Sequence, residues 1–281
     1  MAQESEVTIG LFGVGLLGTA IGDRLTEAGR KWLGYDPARM DLASSRDEVL
    51  DSCKTLIFCL PDSKRVSSLL EHIDGPRTII DATTGDPSEM AQFAADLKKR
   101  EIHYLDVTIG GSSAHLRAGS AILMAGAEKT DFDANRPLLA SLSEHIFHCG
   151  PPGTGARMKL VFNLVLGLNR AALAEGLVFA ERSGLPLKQT LEVLMAGPAA
   201  SRIMERKGPK MLRQEYIPEA RLSQHHKDVR LILAEAERHN LHLPLSEAHS
   251  LILAASEALG LGELDNSALI EAYRNDSVVK P

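Results

Sequence analysis

The first half of the chain alternates between short apolar runs and stretches of helical spacing. Val7–Phe12, Lys31–Tyr35, Thr55–Leu60, Thr78–Asp81 and His103–Val107 are near-continuous apolar runs of strand length. Leu17–Ala28, Val66–Ile73 and Pro87–Arg100 instead repeat apolar residues at helical intervals, with Pro87 at a first helical position, where a missing N–H is harmless. Ala121–Ala125 and His145–His148 read as two more strands around a helix at Phe132–Leu142. Strands that are apolar on both faces and separated by helices predict a mostly parallel sheet covered on both sides.

The pattern changes at Gly150–Gly155, which reads G-P-P-G-T-G. Met158–Arg182 is apolar on nearly every face apart from Lys159, Asn163, Asn169, Arg170 and Glu175, so it predicts a helix buried between domains or subunits. Helical periods resume at Leu187–Met195, Arg202–Leu212, Asp228–His239 and Leu245–Leu259. The basic stretch Arg202–Arg213 is interrupted by Gly208-Pro209 and reads as a solvated helix–turn–helix surface. The expected architecture is α/β: a doubly wound, mostly parallel sheet domain over residues 1–156, then an all-helical domain over 157–281 that serves substrate binding and oligomerisation.

Composition narrows the function. Of 281 residues 44% are hydrophobic and 24% charged, which is ample for a core. Aromatics are only 4% and the net charge is −6, so base stacking and phosphate-backbone binding are disfavoured and no nucleic-acid partner is expected. The core, and any adenine-binding surface, should be aliphatic. The apolar stretches near Leu160–Leu168 and Leu251–Leu261 are interrupted by Asn163 and Ser256-Glu257, short of the ~20 residues of a membrane span. The start, Met-Ala-Gln-Glu-Ser-Glu, lacks the basic character of a signal peptide. Cys53, Cys59 and Cys149 are odd in number and show no CxxC spacing, as free thiols of a reducing compartment do. These readings point to a cytoplasmic protein with no membrane partner. His145, His148 and Cys149, or His225-His226, lack a third ligand at zinc-type spacing, so no metal is expected.

The first strand runs into Gly13-Val14-Gly15-Leu16-Leu17-Gly18, a G-x-G-x-x-G that opens a helix. The first glycine permits the tight turn, the second lets a pyrophosphate approach the backbone, and the third lets helix and strand pack closely. Free N–H groups at the helix start suit the diphosphate. Asp36 ends the second strand, where a carboxylate takes the adenosine ribose hydroxyls and repels a 2′-phosphate. The cofactor expected is NAD on a Rossmann-type domain, with Arg39 near enough to soften the preference and admit NADP.

In these features, and in the motifs that follow them along the sequence, the chain resembles the β-hydroxyacid dehydrogenases, the family of 3-hydroxyisobutyrate dehydrogenase and, more distantly, 6-phosphogluconate dehydrogenase. The resemblance runs from the glycine loop to Asp265-Asn266-Ser267-Ala268. Cys59-Leu60-Pro61-Asp62 is similar to the family's Leu-Pro turn beside the nicotinamide ribose, which implies cofactor contacts from Leu60 and Pro61. Asp81-Ala82-Thr83-Thr84 before Pro87 is similar to its D-x-S-T segment, which implies one from Thr84. Gly150-Pro151-x-Gly153-x-Gly155-x-x-x-Lys159-x-x-x-Asn163 matches its catalytic helix, and Lys227-Asp228-Val229 resembles a K-D-L whose lysine lines the site near cofactor and substrate, which implies a cofactor contact from Lys227. Asp106-Val107-Thr108-Ile109-Gly110-Gly111-Ser112 departs from the family's D-A-P-V-S-G-G. Its proline is Thr108, its serine is Gly110, and its last glycine is Ser112. This leaves the substrate more open than the reaction.

Lys159 and Asn163, four apart, share one face of their helix. Burial disfavours an ammonium, so such a lysine can serve as general base near neutral pH. The expected reaction is hydride transfer between NAD and a small β-hydroxyacid or semialdehyde, with Lys159 exchanging the hydroxyl proton and Asn163 holding the same oxygen or the lysine. Successive N–H groups at Gly110-Gly111-Ser112 form a candidate cradle for the substrate carboxylate. An imine reductase on the same fold is the first alternative, and Lys159 argues against it. A non-catalytic cofactor-binding assembly protein is the second, and Lys159 with Asn163 argues against that. The long apolar helix predicts a homodimer or homotetramer.

Overall fold

A computed structural model describes residues 8–275 apart from Met40 and Ala43; Val7, assigned above to the first strand, lies outside the described residues. The chain forms two compact units, Met1–Lys159 and Leu160–Pro281. In the first, seven strands form one sheet: β1 (Ile9–Phe12), β2 (Trp32–Tyr35), β3 (Thr55–Phe58), β4 (Arg77–Asp81), β5 (Ile102–Gly110), β6 (Ile122–Gly126) and β7 (His145–Gly150). Their order is β2-β1-β3-β4-β5-β6-β7, all neighbours parallel except β5 with β6. The order reverses direction between β1 and β3, the switch point where ligands of such sheets bind.

Alternate strand residues feed two separate cores, which is why the runs read as continuously apolar. Leu11, Ile57, Ile80, Leu105 and Leu123 face one core, closed by α1 (Leu16–Glu27), the short α5 (Ser113–Arg117) and α6 (Lys129–Leu142). Phe12, Leu56, Phe58, Ile79 and Tyr104 face the other, closed by α2 (Arg46–Ser52), α3 (Ser63–Leu70) and α4 (Pro87–Lys98). The expected fold is therefore the observed one. Phe12, Phe58 and Tyr104 stand in this second core, so it is less purely aliphatic than composition predicts. Helix α2 was not read from the pattern, although Ser45 and Glu48 carry a capping box: the Glu48 N–H donates to Ser45 Oγ and the Ser45 N–H to Glu48 Oε2.

The second unit is helical. The 29-residue α7 (Thr154–Arg182) enters it, followed by α8 (Leu187–Ala196), α9 (Arg202–Arg213), α10 (Leu222–Arg238), α11 (Pro244–Ala258), a 3-10 turn (Asn266–Leu269) and α12 (Ile270–Arg274). Its core is aliphatic, with Ala171, Leu173, Ala174 and Leu177 of α7 against Leu191, Met211, Val229 and Leu253. By length and composition α7 could cross a membrane, a longer apolar helix than the sequence reading allowed; here these four residues are core.

The basic stretch at 202–213 corrects an expectation. It is one unbroken helix, and Lys207 is buried on a two-oxygen ion pair with Asp265, at 2.8 and 2.9 Å. Gly208 lies against Leu191, where an added Cβ would sit 2.7 Å from a methyl, so this glycine serves close packing and not a turn. Asp265 also accepts from the Ser267 hydroxyl and from the N–H groups of Ser267 and Glu219. These partners hold its carboxyl down at about 2, against a burial that pushes it up. The Asp-Asn-Ser-Ala motif is thus a staple of the helical unit.

Candidate functional site

The parallel strands end on one edge of the sheet, and the sequence-selected residues of the first unit lie along it. At the end of β1, Gly13 turns with φ +87°; an added Cβ would lie 2.3 Å from the Cys59 carbonyl oxygen. At Gly18 a Cβ would lie 1.9 Å from the Gly13 oxygen, while at Gly15 it would meet nothing within 4 Å. Turn, packing and open approach are therefore divided among the three glycines as a diphosphate cradle requires. Helix α1, which starts at Leu16-Leu17-Gly18, has no side chain capping it, so its N-terminal dipole remains available to an anion. Asp36 follows β2 directly. Its Oδ2 accepts the Val14 N–H at 2.8 Å and its Oδ1 the Ala38 N–H at 2.9 Å.

The turns after β3 and β4 are tied together. The Leu60 N–H donates to Thr83 Oγ1 at 3.1 Å, which links Leu60-Pro61 to the segment that carries Thr84. Below them Asp81 is fully buried. It accepts from the Tyr104 hydroxyl at 2.7 Å and the Thr83 N–H at 2.9 Å. Burial outweighs these bonds and pushes its carboxyl up to about 6. The folded chain thus holds this proton more tightly than the unfolded chain does. Stability from the group is full below the usual carboxylate range and is lost as pH rises through about 6. Asp81→Asn is therefore expected to gain stability relative to wild type across that window, by up to roughly 1.4 kcal/mol per pH unit. Urea midpoints at about pH 4 and about pH 7 check this; a variant that instead loses ground as pH rises contradicts it.

Strand β5 positions the start of α7. Asp106, opposite Asp81 in register, is buried and accepts the Gly153 and Ala156 N–H groups, each at 2.7 Å. Burial pushes this carboxyl up to about 7, against the pull of those two N–H groups. Thr108 Oγ1 donates to the Gly155 carbonyl at 2.9 Å. A proline at that position has no such donor, so this departure from the family pattern adds a tie between strand and helix. The next residue, Ile109, offers its carbonyl to Lys159 Nζ at 2.7 Å. Lys159 is 8% exposed. Gly110, read above as loop, is the last residue of β5 and pairs with Ile122, so the chain leaves the sheet only at Gly111-Ser112. The Ser112 N–H donates to His115 Nδ1 at 3.1 Å, and Ser112 Oγ accepts the His115 N–H at 3.4 Å. Both groups of Ser112 are thereby engaged in a capping box on His115.

In the helical unit, Asn163 Nδ2 donates to Asp228 Oδ2 at 2.9 Å, and Lys227 Nζ pairs with Asp228 Oδ1 at 3.1 Å. Asn163 and Lys227 thus meet on one buried carboxylate. One turn beyond Asn163, Gly167 faces His225 and His249, whose Nε2 atoms are hydrogen-bonded at 3.0 Å. Among the described residues no group of three or more His, Cys, Asp or Glu is placed to hold a metal ion.

Lys159 therefore lies with the glycine loop, Asp36, Leu60, Pro61, Thr84 and Gly110–Ser112 in one unit, and Asn163 with Lys227 in the other. The sequence reading gave no role to Asp106, Asp228 or His115. For Asp106 the signal was a carboxylate inside an apolar strand run; for Asp228 it was the acid of Lys-Asp-Val. His115 gave none beyond its three-residue offset from Ser112.

Residues 8–150 match the family described as the NAD binding domain of 6-phosphogluconate dehydrogenase. Residues 153–273 match that described as NAD-binding of NADP-dependent 3-hydroxyisobutyrate dehydrogenase. Glyoxylate/succinic semialdehyde reductase 1 of Arabidopsis thaliana is 29% identical, across 95% of this chain and 98% of its own. 2-Hydroxy-3-oxopropionate reductase of Escherichia coli strain K12 is 28% identical, across 94% and 96%. The solved structure of 3-hydroxyisobutyrate dehydrogenase from Salmonella typhimurium superposes with a TM-score of 0.86 at 21% identity, across 94% of this chain and 99% of that one, and so shares the fold.

Proposed function

Because this chain belongs to the β-hydroxyacid dehydrogenase family of NAD(P)-dependent oxidoreductases, we propose that it moves a hydride between NAD and a small β-hydroxyacid or the matching semialdehyde. The observation that carries the proposal is the buried Lys159, held by its Nζ on the Ile109 carbonyl at the mouth of the Gly110–Ser112 loop. The residues present fit the dinucleotide: an open approach at Gly15, an uncapped helix start and a carboxylate at Asp36. When bound, the nicotinamide supplies the hydride acceptor for oxidation or the donor for reduction. Lys159 Nζ takes the proton of the substrate hydroxyl in the oxidation and returns it to the carbonyl oxygen in the reduction. Asn163 follows four residues further along α7, its amide oriented by Asp228.

In this reading the substrate acid group falls to the Gly110–Ser112 segment, where the Ser112 N–H would exchange its His115 bond for the acid group. The named relatives act on glyoxylate, succinic semialdehyde and 2-hydroxy-3-oxopropionate, and we extend that class of small oxo-acids to this chain. Asp36 favours NAD over NADP, since a carboxylate there repels a 2′-phosphate. Met158, Val161, Val165 and Phe179 form an exposed apolar stripe along α7, which supports a homodimer or homotetramer. The test is a panel of small β-hydroxyacids with NAD, and of semialdehydes with NADH, read by NADH absorbance. At least one pair is expected to turn over; failure of every pair with cofactor bound contradicts the proposal.

A further inference from the structure

The segment after β2 carries a guanidinium between two carboxylates, at the rim of the glycine loop. Arg39 Nη1 donates to the Val14 carbonyl at 3.0 Å and reaches Thr19 Oγ1 at 3.4 Å. This anchors the group beside the same loop residue whose N–H is held by Asp36. The other edge of the guanidinium, the fork of Nε and Nη2, grips Asp41 in two parallel bonds of 2.7 and 2.6 Å. That fork is the edge that fits a phosphate or carboxylate in bidentate fashion. The pair is exposed, with Asp41 at 64% and Arg39 at 36% of their side-chain surface, so the fork lies where a ligand phosphate could reach it and must compete with Asp41 for it. The Arg39 hydrogen bonds pull the Asp41 carboxyl down to about 2, which keeps it charged at neutral pH.

We infer that Asp41 is a specificity-determining residue: it fills the fork of Arg39 and so denies that guanidinium to the 2′-phosphate of NADP. The inference rests on the reading that the glycine loop binds a dinucleotide. In that reading the ribose end of the adenosine lies by Asp36, within the field of both carboxylates and of Arg39. With Asp41 present, the three side chains sum to one negative charge facing a dianionic phosphate. Without it they sum to zero, and the fork is free. Arg39 therefore does not soften the preference for NAD while Asp41 is in place.

The test is equilibrium binding of NADH and of NADPH, read by cofactor fluorescence, to wild type, Asp41→Ala, Asp41→Asn and the double variant Arg39→Ala/Asp41→Ala. Both single variants are expected to bind NADPH about tenfold more tightly than wild type, equivalent to about 1.4 kcal/mol, and NADH within about twofold. The double variant is expected to lose the gain. An unchanged NADPH-to-NADH ratio in both single variants overturns the inference, as does a gain that persists without Arg39. Wild type that binds neither dinucleotide overturns the cofactor reading itself, and that result is distinct from unaltered selectivity on intact NADH binding.

Discussion

Lys159→Ala is expected to lower kcat on the best hydroxyacid by about a hundredfold to ten-thousandfold, the usual range for loss of a positioned acid–base group. The cofactor dissociation constant should stay within about twofold. The asymmetry follows from placement. Lys159 is anchored on the Ile109 carbonyl, at the end of β5, whereas the diphosphate features lie at the end of β1. Removal of the amine takes away the proposed proton-exchanging group and leaves the glycine loop untouched. A Lys159→Arg variant should rescue little, because the guanidinium does not deprotonate and cannot act as base. Stopped-flow and steady-state rates, with cofactor titration in parallel, separate the two effects. A Lys159→Ala enzyme as fast as wild type ends the acid–base assignment.

The second large effect is structural and concerns the ground on which Lys159 stands. Gly155→Ala places a methyl 2.4 Å from the Asp106 carbonyl oxygen and 2.6 Å from both the Gly126 N and the Met124 oxygen. All three are backbone atoms of the central sheet, so no side chain can swing aside. The helix must leave the strand, and the Asp106 and Thr108 bonds to it stretch together. Destabilisation of about 3 kcal/mol or more is expected by urea unfolding, with kcat falling further than the folded fraction explains. Gly176→Ala is the control on the same helix. A Cβ there meets nothing within 4 Å in the single chain, so this variant should gain about 0.5–1 kcal/mol from helix propensity when unfolding is followed on the dissociated chain. Equal effects at the two glycines would show that the junction at β5 carries no special constraint.

Much of this was legible in the sequence because burial on two faces leaves a simple signature. The strand runs of the sheet and the helix from Met158 were visible as hydrophobic pattern, and the glycine loop and Asp36 as spacing. Direction was not visible. Nothing in Ile122–Gly126 says that it pairs antiparallel with β5, because an apolar run reads the same both ways. Helix α2 has only Val49 and Leu50 buried, too few to show a period. Lys207 looked solvated because its partner, Asp265, is 58 residues away and a buried ion pair has the composition of a surface. The site was legible as residue types and opaque as contacts. Asp106 was read as part of a motif, yet its two bonds to the start of α7 depend on a crossing of chain that no local pattern encodes. Ser112 was read as an open donor, and its capping box with His115 emerged only with the turn into α5.

Hydride transfer from a bound nicotinamide to a small oxo-acid would carry a label from the cofactor into the product. The most direct measurement uses NADH carrying deuterium at both C4 positions, incubated with the semialdehyde panel, and mass spectrometry of the hydroxyacid formed. One deuterium on the carbinol carbon of the product is expected with wild type, with product formation collapsing in Lys159→Ala. Hydroxyacid without deuterium, or no hydroxyacid from any member of the panel while NADH remains bound, would contradict it.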